Sequence, residues 1–295
     1  MRGLRLSLSL AAVALSVSIG AQPLQMVTQL ERIERPEGAP RTIEEAVARS
    51  RGRVRAQVVA IDLHDSEFII PIAGNAAGGN GTYFRSDVVI ANYRSAAQRI
   101  GVAWLQSGQN NVGAPLIYFN LPANTIVAQD DFVGIALGKS GLGAVAVYGV
   151  TASGLNDTDA SLDGFSRIWT LQPGSAGSVS QNFDAISTTD SIGSLTAYVV
   201  GLKQSADFRS NVGIVNLDTA AHNWTVRSIA TGAQSTINVP AMSVVQTAIA
   251  NGSGSGSSGQ TALTLNSDGF GFWWTAYGSS TDNRTGDGWV ARAKQ

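Results

Sequence analysis

From Glu67 onward the apolar residues fall in short runs parted by Gly, Asn, Asp and Ser. Phe68-Ile69-Ile70-Pro71-Ile72, Val88-Val89-Ile90-Ala91 and Val145-Ala146-Val147-Tyr148 are examples from the first part of the chain. Tyr198-Val199-Val200, Val212-Gly213-Ile214-Val215 and Ala262-Leu263-Thr264-Leu265 are their later counterparts. Runs this short and β-branched, spaced roughly ten residues apart with turn residues between, predict the strands of an all-β sandwich or barrel. After residue 56 no window carries the 3.6-residue period of an amphipathic helix.

The runs also repeat. Phe84-Arg85-Ser86-Asp87-Val88-Val89-Ile90-Ala91-Asn92 aligns with Phe208-Arg209-Ser210-Asn211-Val212-Gly213-Ile214-Val215-Asn216, and Ala96-Ala97 with Ala220-Ala221 at the same offset. After a short deletion in the second copy, Leu121-Pro122-Ala123 meets Val239-Pro240-Ala241, and Gly141-x-x-Ala144 meets Gly259-x-x-Ala262. Upstream, Ile69-Ile70-Pro71-Ile72 is matched to Val199-Val200-Gly201-Leu202, and near the ends Asp163-Gly164-Phe165 to Asp287-Gly288-Trp289. Ordered matches of this kind mark two copies of one unit. The expected architecture is two tandem antiparallel β-sandwiches, Ig-like or jelly-roll-like, over residues 67–190 and 191–295. Pro122 and Pro240 are expected at strand ends, where a missing N–H does least harm. Asn92 and Asn216 are expected to open turns, where Asn tolerates left-handed backbone and bonds its own chain.

The N-terminal part reads differently. Arg2 and Arg5 precede an apolar stretch from Leu6 to Ile19, and small residues at Ser18, Gly20 and Ala21 stand before Gln22-Pro23. This three-part pattern predicts a secretory signal peptide over residues 1–21. The apolar stretch is shorter than the roughly 20 residues a spanning helix needs, so no stable membrane insertion is expected after cleavage. Residues 22–66 read as a charged leader: five Glu and seven Arg fall within 31–55, against a single Glu, Glu67, in 56–295. Thr42-Ile43-Glu44-Glu45 has capping-box spacing and predicts a short helix over Ile43–Arg51. Charge this dense is expected to stay solvated, with a basic docking arm as the sharper alternative.

Composition narrows the chemistry. The 295 residues include 33 Gly, no Cys and only 14% charged residues, against the quarter usual in soluble domains. A net charge of -1 offers no electrostatic footprint for nucleic acid. Without Cys there are no disulfides, thiolate metal sites or cysteine nucleophiles. The two His, His64 and His222, fall in turn-like sequence and are expected to be solvated.

The Phe-Arg-Ser-Asx-Val-x-Ile-x-Asn strand, the Pro-Ala step, the Ser267-Asp268-Gly269 turn and Asp282-Asn283-Arg284-Thr285-Gly286-Asp287 together resemble tandem β-sandwich repeats of secreted bacterial proteins of uncharacterised role. The order of elements is weakly similar to the sandwich of sensory-rhodopsin-transducer-like proteins. The resemblance spans roughly residues 67–295, implies fold and compartment, and brings no catalytic residues with it.

Four sets of side chains deserve a structural test. Asp157, Asp159 and Asp163 in one loop, and Asp282 with Asp287 in another, could supply oxygens to Ca²⁺, though neither spacing is that of an EF-hand. The same first loop and Asp130-Asp131 hold the only clustered carboxylates for an Asp-based hydrolase. Trp273 and Trp274 are adjacent, so they point to opposite faces of a strand; the Trp residues read first as core, with Trp273 or Trp274 the best candidate for an exposed sugar-stacking ring. Arg85 and Arg209 occupy the same repeat position, two residues before Asp87 and Asn211 on one strand face, and serve either a cross-strand contact or a ligand. The sequence therefore points to a secreted, non-enzymatic module, extracellular or on the cell surface (the periplasm being the other compartment). It would bind a protein or glycan partner without an obligatory cofactor. Carbohydrate recognition and Asp-based hydrolysis are the alternatives.

Exported with its own N-terminus, the mature chain is expected to begin at or beside Gln22. Intact-mass measurement that finds Met1 retained in the exported protein contradicts this.

Overall fold

The computed structural model describes residues 23–51, 66–172, 176–187, 190–250, 254 and 259–295. The expected signal peptide and most of the Gly/Ser loop after Ala250 lie outside them. Regular structure among the described residues is nearly all β, as the runs of apolar residues predict. Strands β1 (Gln25–Val27) and β2 (Glu31–Ile33) and helix α1 (Ile43–Arg51) come first. The first half continues with β3 (Glu67–Ala77), β4 (Tyr83–Asn92), β5 (Gln98–Gln106), β6 (Leu116–Leu121) and β7 (Thr125–Gln129). The short helix α2 (Phe132–Ile135) follows, then β8 (Gly141–Val150), β9 (Leu162–Leu171), β10 (Ser178–Asp184) and β11 (Ile186–Ser187). The second half holds β12 (Thr196–Lys203), β13 (Phe208–Asn216), β14 (His222–Ser228), β15 (Gln234–Val239), β16 (Ser243–Ala248), β17 (Gln260–Ser267), β18 (Trp274–Asp282) and β19 (Gly288–Arg292).

The second half is a sandwich of two antiparallel sheets, β12-β17-β14-β15 and β16-β13-β18-β19. The first half shows the same orders, β3-β8-β5-β6 and β7-β4-β9-β10, with the two sheets joined because β3 also pairs with the start of β4. Even an irregularity repeats: β3 slips register between Ile70 and Ala73 against β8, and β12 slips between Val199 and Leu202 against β17. Pro71 sits in the first slip, where a bulge has no ladder bond for its nitrogen to make. Register makes Ile70 the counterpart of Val199, one residue away from the Ile69–Val199 match that the sequence suggests. It also sets β9 against β18, because Asn92 pairs with Leu162 as Asn216 pairs with Trp274. The match of Asp163-Gly164-Phe165 to Asp287-Gly288-Trp289 is thus corrected; the latter lies at the start of β19.

One buried side chain ties the sheets together in each half. Asn92 Nδ2 donates to the carbonyls of Ala96 (2.9 Å) and Pro122 (2.8 Å), with Leu121 O at 3.5 Å, while its Oδ1 accepts from Arg94 N (3.1 Å). Asn216 makes the same set with Ala220 (2.8 Å), Pro240 (3.1 Å), Val239 (3.2 Å) and Asp218 N (2.9 Å). Both are fully buried. The left-handed backbone expected at these Asn residues falls instead at Asn124 (φ 48°) and Met242 (φ 47°), just past the Pro-Ala step. There Asn124 N donates to Arg94 O and Met242 N to Asp218 O, closing the same corner.

The charged leader is corrected too, since its described part is built into the first half. β1 adds parallel to β7, β2 adds antiparallel to β6, and α1 lays Ala46 beside Tyr118 and Tyr148. The helix starts as its capping box predicts: Glu45 N donates to Thr42 Oγ1 (3.3 Å) and Glu45 Oε2 accepts from Arg41 N (2.8 Å). Glu31, Arg32, Glu34, Arg35, Glu37, Arg41, Glu44 and Glu45 stay exposed while Ala39, Ile43 and Ala46 are buried, so sparse apolar residues at helical and strand spacing dock a segment whose overall composition reads as solvated.

Each sandwich has its own core, one around Ile70, Val102, Phe119 and Val145, the other around Val199, Trp224, Leu265 and Trp274. A third apolar layer lies between the halves. It joins Ile69, Ile72, Leu105, Ala144 and Phe183 of the first to Val215, Met242, Val244 and Tyr277 of the second. The Phe183 and Tyr277 rings meet edge to face at 5.1 Å. Gly213 permits this layer, because a Cβ there would lie 2.1 Å from Tyr277 Cζ.

Replacing Asn216 with Ala removes a donor pair and strands buried carbonyls at the corner, so a loss of about 2–3 kcal/mol in unfolding free energy is expected. Denaturant titration checks it, and a change below about 0.5 kcal/mol, the range of ordinary surface substitutions, contradicts the role given to this side chain.

Candidate functional site

The edge of the layer between the halves opens into a cleft of about 670 Å³. Its apolar floor includes Phe84, Leu142, Ile168 and Phe183, and its polar rim Thr170, Gln181, Arg209, Asn211, Gln246 and Thr281. β9 and β10 run past the first core and turn Ile168, Gln181 and Phe183 toward the second half. β13, β16 and β18 turn the outward members of their alternation, Arg209, Asn211, Gln246 and Thr281, toward the first. The two walls are bonded: Gln181 Nε2 donates to Ser280 O (3.0 Å) and lies 3.4 Å from Thr281 Oγ1. Gln246 Oε1 accepts from the Tyr277 hydroxyl (2.7 Å). Burial pushes the Tyr277 phenol well above its ordinary value, so it remains a hydrogen-bond donor across the working pH range.

Arg209 stands at the rim of this cleft, with Nη1 2.7 Å from Asn283 Oδ1. Arg85, its repeat equivalent, is elsewhere: its guanidinium lies over the Tyr83 ring (4.9 Å) and its Nε is 3.7 Å from Asp131. Asp87 is claimed by Arg167 (3.2 Å) rather than by Arg85. The shared Phe-Arg-Ser-Asx signature therefore serves the strand, while the two Arg head groups have unrelated surroundings.

The Trp pair does not offer a sugar face. Trp274 is a core residue, its Nε1 donating to Ser194 O (3.0 Å) and its ring 5.6 Å from Trp224. Trp273 precedes β18 and packs, half-buried, against the layer between the halves. Both faces at this position are occupied because a second sandwich lies beyond the first, which alternation within one sheet cannot anticipate. The most exposed aromatic is Phe270 (82%), in the turn after Ser267-Asp268-Gly269.

Nor do the acidic loops converge. Asp157 Oδ2 is held by Arg94 Nη1 (2.8 Å) and its Oδ1 accepts from Asp159 N (3.1 Å), while Asp163 Oδ1 accepts from Gly164 N (2.7 Å). Asp282 Oδ1 accepts from the backbone of Arg284 (2.7 Å) and Thr285 (3.1 Å), and these bonds hold its carboxyl below the usual value. Asp287 closes the same hairpin with its backbone, accepting from Asp282 N (2.8 Å). Asp131 caps α2. Among the described residues no three His, Asp or Glu side chains gather as a metal-ligand set. Of the hydrolase candidates, Asp131 caps α2 and Asp157 is paired with Arg94.

His222 is the residue the sequence misjudged most. Its Nε2 lies 3.0 Å from Asp218 Oδ2 and its Nδ1 3.0 Å from Asp268 Oδ1, and its ring stacks on Phe272 at 3.7 Å. The first half has Arg94, Gln98 and Asp157 at this corner, joined by bonds of 2.8 Å. Both halves thus latch one end of the sandwich with a polar trio of different chemistry. The i,i+4 spacing of Asp218 and His222 was the available signal.

No family model, no curated protein and no solved structure matches this chain.

Desolvation raises the Asp268 carboxyl, but hydrogen bonds from Asn223 and His222 and the attraction of His222 together hold it below 3.8. A depressed folded-state pKa stabilises the fold above the unfolded value and loses that contribution as pH falls through the folded one. Asp268→Asn is therefore expected to be less stable than the parent near neutral pH, with the gap closing as pH drops below 3.8. A gap in denaturation midpoint that is constant across this range contradicts the assignment.

Proposed function

We propose that this chain is a secreted, non-enzymatic binding module whose ligand seats in the cleft between the two halves, and that the ligand is a glycan. The observation carrying the reading is the cleft itself, built by both halves, with a volume inside the 300–1,000 Å³ range typical of ligand sites. Its polar lining consists of amides, hydroxyls and one guanidinium above an apolar floor. Amides and hydroxyls donate and accept at fixed positions and do not exchange protons near neutral pH, so the set suits recognition of a hydroxyl-rich ligand rather than acid–base chemistry. Arg209 adds a fork-shaped donor able to take a carboxylate or sulfate on that ligand. Secretion, read from Arg2 through Ala21, would bring the module to such ligands outside the cell. The aromatic contribution comes from Phe84 and Phe183 in the floor, in place of the Trp pair.

A glycan-array screen of the chain identifies the ligand class. Gln181→Ala and Arg209→Ala are each expected to weaken the best hit by at least about tenfold, equivalent to roughly 1.4 kcal/mol. Phe270→Ala, at an exposed ring outside the cleft lining, serves as a control that should leave the hit in place. A blank array, or hits indifferent to both cleft substitutions, overturns the glycan reading.

A further inference from the structure

The halves meet through unlike faces. The first contributes the outer face of β3-β8-β5-β6, the second the outer face of β16-β13-β18-β19. Each half therefore keeps the face that the other has used. Strand register equates Ile69, Ile72, Leu105 and Ala144 of the first half with Tyr198, Gly201, Ile229 and Ala262 of the second. In the first half these four residues are buried in the layer shared with Val215, Met242 and Val244. In the second half Gly201, Ile229 and Ala262 border a pocket of about 410 Å³, and Tyr198 (45%), Val200 (58%) and Ile229 (57%) are exposed apolar side chains.

The rest of that face supplies the contrast. Leu116, Tyr118 and Tyr148 of the first half form an apolar patch with Ala46 of α1. Their counterparts in the second half are Gln234, Thr236 and Asn266, all polar. The second half is thus polar where the first half is covered by a helix; where the first half is covered by a sandwich it keeps Tyr198, Ile229 and Ala262, with Arg227 and Thr264 in place of the buried Ala103 and Ala146. Exposed apolar residues kept at the positions of an existing interface, and absent beside it, mark a docking surface for the same kind of unit.

We propose that this patch of the second half is the acceptor for a second copy of the chain, docking through its first half. The donor face follows from the same register: Val89, Ala91, Ile126 and Phe165 are the counterparts of Gly213, Val215, Val244 and Tyr277. β1 extends the edge of that face, with Met26 72% and Leu24 45% exposed. Donor and acceptor are different surfaces, so each added copy presents a fresh acceptor and the assembly grows head to tail instead of closing as a two-fold pair. The inference goes beyond the cleft reading and stands or falls independently of it.

Sedimentation velocity on the full chain tests it, with three variants whose folding is checked by circular dichroism. Val200→Glu/Ile229→Glu removes the acceptor at exposed positions. Met26→Glu removes the donor at an exposed position, and Ile126→Glu is a second donor variant. The parent is expected to associate with rising concentration, and the acceptor variant and the donor variants to lose this. An equimolar mixture of acceptor and donor variants should form a one-to-one dimer and nothing larger, because one competent contact remains. A parent that stays monomeric up to about 1 mM, the weak end of specific association, overturns the proposal. Association that survives the variants, or variants that stay monomeric when mixed, overturns it equally.

Discussion

The apolar layer between the two sandwiches is the constraint on which the rest of the molecule depends. Strands of an ordinary surface sheet bury one side and leave the other to water. Here β3 and β8 bury both, Ile70 and Val145 inward, Ile69 and Ala144 outward. Tyr277 fills the centre of the outer layer only because Gly213 across the ladder has no side chain. With that ring fixed, β13, β16 and β18 stand opposite β9 and β10, and the cleft is the space left where the two curved surfaces part. The packing is also directional, since unlike faces are joined.

A second level of order lies within each half. The Asn92 and Asn216 corners satisfy carbonyls that a Pro-containing crossover would otherwise leave without donors. One short amide side chain does this where a backbone ladder cannot reach. That the two halves reproduce the clamp, the left-handed residue after Pro-Ala and the β3/β12 bulge makes them equivalents in detail. The polar trio beside each clamp differs, Arg94-Gln98-Asp157 against Asp218-His222-Asp268, so the corner demands bonding but not a particular chemistry.

Much of this was legible in the sequence. The strand runs, the repeat and the helix after Thr42 follow from periodicity and capping, which are local. The cleft was not legible, because its walls come from β10 and β13, far apart in sequence and related by a packing that no single copy encodes. A trace of it exists: Phe68-Ile69-Ile70-Pro71-Ile72 and Ala144-Val145-Ala146-Val147 are apolar at both parities, whereas Thr261-Ala262-Leu263-Thr264-Leu265 alternates more nearly. Continuous runs signal a sheet covered on both sides. The surroundings of the Trp and Asp candidates were not legible for a related reason. Adjacent Trp residues imply one exposed ring only if nothing lies beyond the sheet, and clustered Asp residues imply a site only if turns and arginines have not already claimed them.

The cleft exists only if the two halves are held in one fixed relation. The chain has no Cys, so single cysteines can be placed cleanly at exposed Ile135 in α2 and exposed Thr236 in β15 for spin labelling. Double electron–electron resonance at concentrations where the chain is monomeric is predicted to give one narrow distance distribution. Tyr277→Ala, which empties the centre of the layer, is predicted to broaden it. A broad or multi-peaked distribution in the parent, equal to that of the Tyr277→Ala chain, would contradict the layer and with it the cleft.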